Sequence, residues 1–174
     1  LASHELGKVC HMLLEGNCNF YWGLFSPLII QDWDYRRELR DLAISNISKK
    51  IYNSIRGLAV HNYDKYITKG KDVTIKRLSL IARTINFGIN ILKGLPPGFQ
   101  PIYCYKPGDI VEWIDKLNDA YEKSLLSPVP KAPDKMWDFL LRIRLENLNN
   151  IPNPFYKSLE RLWDNEKDKI WDTL

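Results

Sequence analysis

Apolar side chains recur every three or four residues along most of this chain, the period of one helix face and not the alternation of a strand. Leu6, Val9, Cys10, Leu13 and Leu14 carry that spacing first, with Ser3 as a predicted N-cap and Gly16 as the terminator. Residues 17–25 (NCNFYWGLF) predict a second, short, aromatic-rich helix stopped by Ser26-Pro27. Asp32 or Asp34 is expected to cap a third helix, which carries Tyr35, Leu39, Leu42 and Ala43. Ser48 is expected to start a fourth, running through Ile51, Ile55, Leu58, Ala59, Asn62 and Tyr66 to Gly70. Asp72 is expected to open a fifth, through Ile75, Leu78, Ala82, Ile85, Ile89 and Leu92 to Gly94. Beyond the turn Leu95-Pro96-Pro97-Gly98, the segment PIYCY (101–105) is too short and isolated to argue for a sheet. Pro107 and Asp109 begin a helix with Ile110, Trp113, Ile114, Leu117, Ala120 and Tyr121. A Pro-rich connector over 127–133 leads through Asp134 to Trp137, Leu140, Leu141, Ile143 and Leu148. After Pro152 and Pro154, Phe155, Leu159, Leu162, Trp163, Ile170 and Trp171 mark a last amphipathic helix. The pattern predicts an all-α fold, an irregular bundle of seven or eight helices with Pro-rich connectors, in one domain over 1–174.

The fifth helix stands apart. At about 100° per residue, Asp72, Lys76, Ser79, Arg83, Asn86 and Asn90 fall within a sector roughly 80° wide. Most other positions are aliphatic or aromatic, so the helix is expected to be largely buried, with its polar stripe facing solvent or lining a groove. Lys76 and Arg83 stand about two turns apart on that stripe, with Ser79 between them. Two cations with hydroxyl and amide donors suit a phosphate or triphosphate, which accepts charge-assisted bonds from several directions. Arg77 lies beside the stripe, and an antiparallel fourth helix would bring His61, Asn62 and Lys65 toward the same groove. The plainer alternative is that Lys76 and Arg83 solvate the exposed edge of a bundle helix.

Charge sharpens that picture. The net charge is only +4, but between Lys49 and Lys93 ten basic residues face two acidic ones, Asp64 and Asp72. That stretch carries +8 and the remainder −4. Such asymmetry fits a surface that meets anions as well as it fits a solvated basic face. Hydrophobic residues make up 45% and charged residues 26%, which excludes disordered and collagen-like classes. No apolar run approaches the ~18 residues of a membrane span, and residues 1–6 show no signal peptide. No membrane partner is expected. A chain beginning at Leu1 reads as a processed product or a piece of a longer protein. Cys10, Cys18 and Cys104 form no Cys-x-x-Cys pair, which favours small core residues in a reducing, cytoplasmic compartment.

Other chemistry is sparse. The chain contains neither a P-loop nor a Gly-x-Ser-x-Gly elbow. Residues 27–35 read locally as an apolar strand followed by Asp32-Trp33-Asp34, a possible metal pair. A lone strand would leave its backbone unpaired, so helix-capping aspartates are favoured. His4 and His11 share a helix face without a carboxylate at triad spacing. Phe20, Tyr21, Trp22 and Phe25 could stack on bases, but aromatic density at helical spacing favours core. No catalytic residue, metal ligand or resident cofactor is assigned to this chain.

Three blocks carry a resemblance. The first is Leu13-Leu14-Glu15-Gly16-Asn17-Cys18-Asn19, continuing to Trp22 and Leu24-Phe25-Ser26-Pro27. The second is Gly57-Leu58-Ala59-Val60-His61-Asn62-Tyr63 with Tyr66, and the third is Lys76-Arg77-Leu78-Ser79-Leu80-Ile81-Ala82-Arg83. In order and spacing they resemble the C-terminal helical half of a nucleotidyltransferase family associated with RNA ligases, within the polymerase-beta-like superfamily. The blocks fall within 1–94, and 95–174 add further helices. The resemblance implies that chemistry belongs to an N-terminal α/β domain, where a Gly-Ser motif and paired carboxylates hold Mg²⁺ against a nucleoside triphosphate. No Gly-Ser dipeptide occurs here.

The expected function is therefore the substrate- or partner-binding helical region of a metal-dependent nucleotidyltransferase, contacting nucleotide or RNA phosphates through Lys76, Ser79, Arg83, Arg77, His61 and Lys65. Mg²⁺ and nucleoside triphosphate are implied for the parent enzyme, with the catalytic domain as an N-terminal or separate partner. The alternative is a non-enzymatic helical module that binds nucleic acid or a protein.

Overall fold

A computed structural model describes residues 3–28, 33–70 and 73–149. Within them the chain forms seven α-helices and no strand: α1 (Ser3–Leu14), α2 (Cys18–Phe25), α3 (Arg36–Ser45), α4 (Lys50–Tyr63), α5 (Ile75–Leu92), α6 (Pro107–Lys123) and α7 (Pro133–Asn149). The fold is all-α. Asp32 and Asp72 as capping residues, and the helix expected beyond Phe155, lie outside the described residues.

Several boundaries follow from local chemistry. Gly16 ends α1 at φ 71°, and a Cβ there would lie 2.6 Å from the Ile51 amide nitrogen, so only glycine fits the turn against α4. Asn17 caps α2, its side chain accepting from the Asn19 amide at 3.1 Å. Pro107 occupies the first turn of α6, and the Asp109 carboxylate accepts from the Lys106 amide at 3.1 Å.

Other boundaries correct the expectations. Tyr35, not Asp34, precedes α3, and no side chain among the described residues caps that helix, whose first amide, that of Arg36, donates to Trp33 O at 2.9 Å. Ser48 does not cap α4: its hydroxyl is buried without a hydrogen-bond partner among the described residues. The Lys49 amide instead donates to Ser127 O at 2.8 Å, because the Pro-rich connector docks at this junction. The α-helical part of α4 stops at Tyr63, and residues Asp64–Thr68 form a single π-helical turn. Gly70 does close this element, but by proximity, since a Cβ there would lie 2.2 Å from Tyr66 O. For α5 the cap is Thr74, whose hydroxyl accepts from the Arg77 amide at 3.3 Å.

The core is continuous and centred on α5, which packs against α4 and most extensively against α6. Ile81, Ile85 and Ile91 of α5 meet Ile55, Ile110 and Leu117 in the buried interior. At Gly88 a Cβ would come within 2.9 Å of Ile55 Cδ1 and Cγ2 and 3.2 Å of Leu117 Cδ1. The missing side chain is what lets α4, α5 and α6 approach one another there. A second layer joins α1 to α7 and α3 to α7. There Arg142 pairs with Glu38 at 2.5 Å and Glu146 at 3.1 Å, while the Tyr35 hydroxyl donates to Glu146. Two buried side chains secure the connectors. Ser124 donates to Leu92 O at 2.7 Å, satisfying the end of α5, and Asn46 accepts from the Ala132 amide at 2.9 Å. Cys10, Cys18 and Cys104 are all buried free thiols. None of the helices among the described residues is long and apolar enough to cross a membrane.

Candidate functional site

Helix α5 is buried along most of its length, as its apolar circumference requires. Its polar stripe emerges on one side, where Lys76 and Arg83 are exposed. Neither side chain forms a hydrogen bond or ion pair with a described residue. Ser79, between them, is 8% exposed, and its hydroxyl accepts from the Cys104 amide at 3.1 Å. That bond draws the extended segment 101–105 across the stripe. The result is a groove of about 360 Å³ walled on one side by Lys76, Ser79 and Arg83 and on the other by Pro101, Ile102 and Tyr103.

The electrostatics of this end of α5 are one-sided. Lys76 and Arg77 occupy the first turn, which holds no acidic residue. Unsatisfied amides there already carry the positive end of the helix dipole, and cations beside them raise the local potential further. An anion relieves that repulsion.

The remaining expected residues sit elsewhere. Arg77 points about 100° away from Lys76 around the helix. Its guanidinium lies 5.3 Å from the centre of the Tyr66 ring, which Lys65 also approaches at 5.1 Å. The π-helical turn thus gathers Lys65 and Arg77 on one aromatic side chain, and neither lines the groove of Lys76 and Arg83. His61 is exposed on the last turn of α4, and its side chain hydrogen-bonds to no described residue.

A second cavity, of about 370 Å³, adjoins the groove and shares Arg83 and Pro101 with it. Three rings define it. Trp22 meets Phe87 edge-on at 5.9 Å and Phe99 at 5.9 Å, and Phe87 and Phe99 lie near-parallel at 5.7 Å. Asn86 and Gln100 contribute amides to the lining. The indole N–H of Trp22 is buried without an acceptor among the described residues. Sequence reasoning placed Trp22 in the core and left Phe99 unread. The available signal was Asn86, which falls on the same stripe as Arg83 and marks where the groove continues.

A third, more open cavity of about 810 Å³ lies between α3 and Pro96-Pro97, with Asp34 and Asp41 among Arg36, Arg37 and Arg40. Two of these arginines are already engaged. Arg36 donates to Ser26 O at 2.9 Å at the end of α2, and Arg40 lies 5.0 Å over the Phe25 ring. Asp34 lines the same cavity as these arginines, while Asp32, the other half of the pair read from the sequence, lies outside the described residues. Among the described residues no three His, Cys, Asp or Glu side chains gather where they could hold a metal ion. The cationic groove of α5 does not suit Mg²⁺ either, which takes oxygen ligands and carboxylates.

Burial pushes the thiols above their ordinary range: Cys10 to about 11, and Cys18 and Cys104 also upward. Cys104 lies next to the groove, in the segment whose amide bonds to Ser79 Oγ.

Compared with known proteins, the family described as the RNA repair pathway DNA polymerase beta family matches residues 1–101. The matched residues include α1 to α5 and, apart from Ile102 and Tyr103, every residue lining the groove and the aromatic cavity. No curated protein and no solved structure matches the chain.

Proposed function

We propose, on the premise that this chain belongs to the RNA repair pathway DNA polymerase beta family, that it is the helical substrate-binding region of a nucleotidyltransferase, with the Lys76–Arg83 groove as its phosphate site. One observation carries this reading: two exposed cations, their side chains unpaired among the described residues, flank a single groove on a helix that is buried along most of its length. In the proposed arrangement the catalytic carboxylates and Mg²⁺ come from a domain outside this chain, since the cationic groove suits the phosphates and not the metal. The groove's contribution is to hold charged oxygens in place. Charge-assisted bonds from Arg83 and Lys76 orient a phosphate, and the dipole of α5 adds to their attraction. The nucleotide or RNA that carries the phosphate is the substrate in this reading.

Substituting both cations tests it. The double variant Lys76→Gln, Arg83→Gln keeps helix propensity and most of the stem length, and neither side chain is in the core, so thermal stability should stay within about 0.5 kcal/mol of the parent. Binding of triphosphate or RNA, measured by titration calorimetry at low salt, should fall by about 1–3 kcal/mol. It should also weaken steeply as salt rises in the parent. An unchanged double variant, or a parent that binds no anion, makes Lys76 and Arg83 the solvated edge of a bundle helix.

A further inference from the structure

The cavity of Trp22, Phe87 and Phe99 has no part in holding phosphate, yet it opens beside the residue that would. We infer that it is a nucleobase pocket, and that it and the Lys76–Arg83 groove form one bipartite site for a nucleotide: base among the rings, phosphate on the cations. This rests on the phosphate reading of the groove and adds the ligand's other half.

Four observations point there. The first is size: about 370 Å³ lies at the lower end of the ~300–1,000 Å³ of small-molecule sites, enough for a flat heterocycle and little more. The second is lining. Flat aromatic faces accept a base by stacking with little regard to its identity. Phe99 is 45% exposed at the mouth, so a ring can reach it without opening the core. The third is polar lining. The amides of Asn86 and Gln100 offer both donors and acceptors, the groups that pair with base edges. The fourth is continuity. Arg83 and Pro101 line both cavities, so a ligand in one emerges at the other. A purely apolar ligand would leave Arg83, Asn86 and Gln100 facing it unpaired. An inorganic anion would leave the rings unused.

The chain itself sets this geometry. Trp22 comes from α2, Arg83, Asn86 and Phe87 from successive turns of α5, and Phe99 and Gln100 from the segment that Ser79 helps to hold across the stripe.

The test compares three probes on the full chain by titration calorimetry: ATP, inorganic triphosphate and adenosine. ATP is expected to bind at least tenfold more tightly than triphosphate. Phe99→Ala, which removes an exposed ring and spares the core, is expected to weaken ATP and adenosine at least tenfold and leave triphosphate unchanged. Phe99→Tyr, which keeps the ring, is expected to restore ATP. Arg83→Gln is expected to weaken ATP and triphosphate and to spare adenosine. Equal binding of ATP and triphosphate, both indifferent to Phe99→Ala, overturns the base pocket and leaves the phosphate groove standing. Adenosine binding lost in Phe99→Ala, with triphosphate not bound at all, keeps the pocket and overturns the phosphate reading. Binding of none of the three overturns both.

Discussion

Gly57 and Gly88 both sit in helix interiors, for different reasons, and the difference is measurable. At Gly57 in α4 a Cβ would meet nothing within 4 Å, so the residue only adds backbone freedom to the unfolded chain. Gly57→Ala should stabilise the protein by about 0.5–1 kcal/mol. At Gly88 the same methyl lands 2.9 Å from two carbons of Ile55, a fully buried β-branched side chain with little room to turn. Overpacking of that kind costs about 1–3 kcal/mol, which outweighs the gain in helix propensity. Gly88→Ala should therefore destabilise by about 1 kcal/mol net, because the α4–α5–α6 crossing must separate. Urea titrations of both variants provide the check, and shifts of the midpoint in the same direction would contradict the assignment of Gly88 to close packing. At this scale the sequence is partly legible. Gly16 and Gly94, both at positive φ, announce helix ends wherever apolar periodicity stops beside them. Gly88 announces nothing, since its reason lies in Ile55 and Leu117, about thirty residues away on either side.

Among elements, α5 and the segment that crosses it set the candidate site. The apolar period of α5 and its polar stripe were readable, because burial of one face is imposed by chain-local geometry. The opposing wall was not. Residues 101–105 have no period, and they lie on α5 because the Cys104 amide finds Ser79 Oγ. This adds a part for Ser79: its Oγ accepts from the backbone of the wall, a bond that uses the oxygen and not the O–H that sequence spacing offers to a phosphate. Ser79→Ala leaves a buried amide without its acceptor and should lower stability by about 1–3 kcal/mol, with anion affinity falling because the groove loosens. Thermal melts and triphosphate titrations on the same variant separate the roles. Unchanged stability with lost binding would place Ser79 in the ligand-contacting set. The caps expected of Asp34 and Ser48 failed for a related reason. At α3 the Arg36 amide bonds to the nearby Trp33 carbonyl, and at α4 the Pro-rich connector supplies a partner from a remote part of the chain, a tertiary contact that overrides the local preference of a Ser.

Across the whole molecule, helices beyond the matched residues 1–101 complete the core of those within them: α6 covers α5, and α7 covers α1 and α3. The site is thus carried by a scaffold broader than the family resemblance. The three buried thiols turn that scaffold into its own reporter. Cys10 sits in α1 deep in the core, Cys18 opens α2 with its amide bonded at 3.0 Å to Ser54 of α4, and Cys104 lies in the groove's wall. A thiol-selective reagent needs an exposed thiolate, and burial denies both. Labelling therefore times the breathing of whichever element shields each sulfur. Cys104, in a segment without secondary structure, should react first and at a rate nearly independent of urea. Cys10 should wait for global unfolding and accelerate with denaturant. Mass spectrometry after timed alkylation would read all three clocks in one sample, and equal rates would show that the molecule opens only as a unit. If a nucleotide seats against the wall, the Cys104 clock alone should slow, giving an assay for occupancy that requires neither catalysis nor an engineered label.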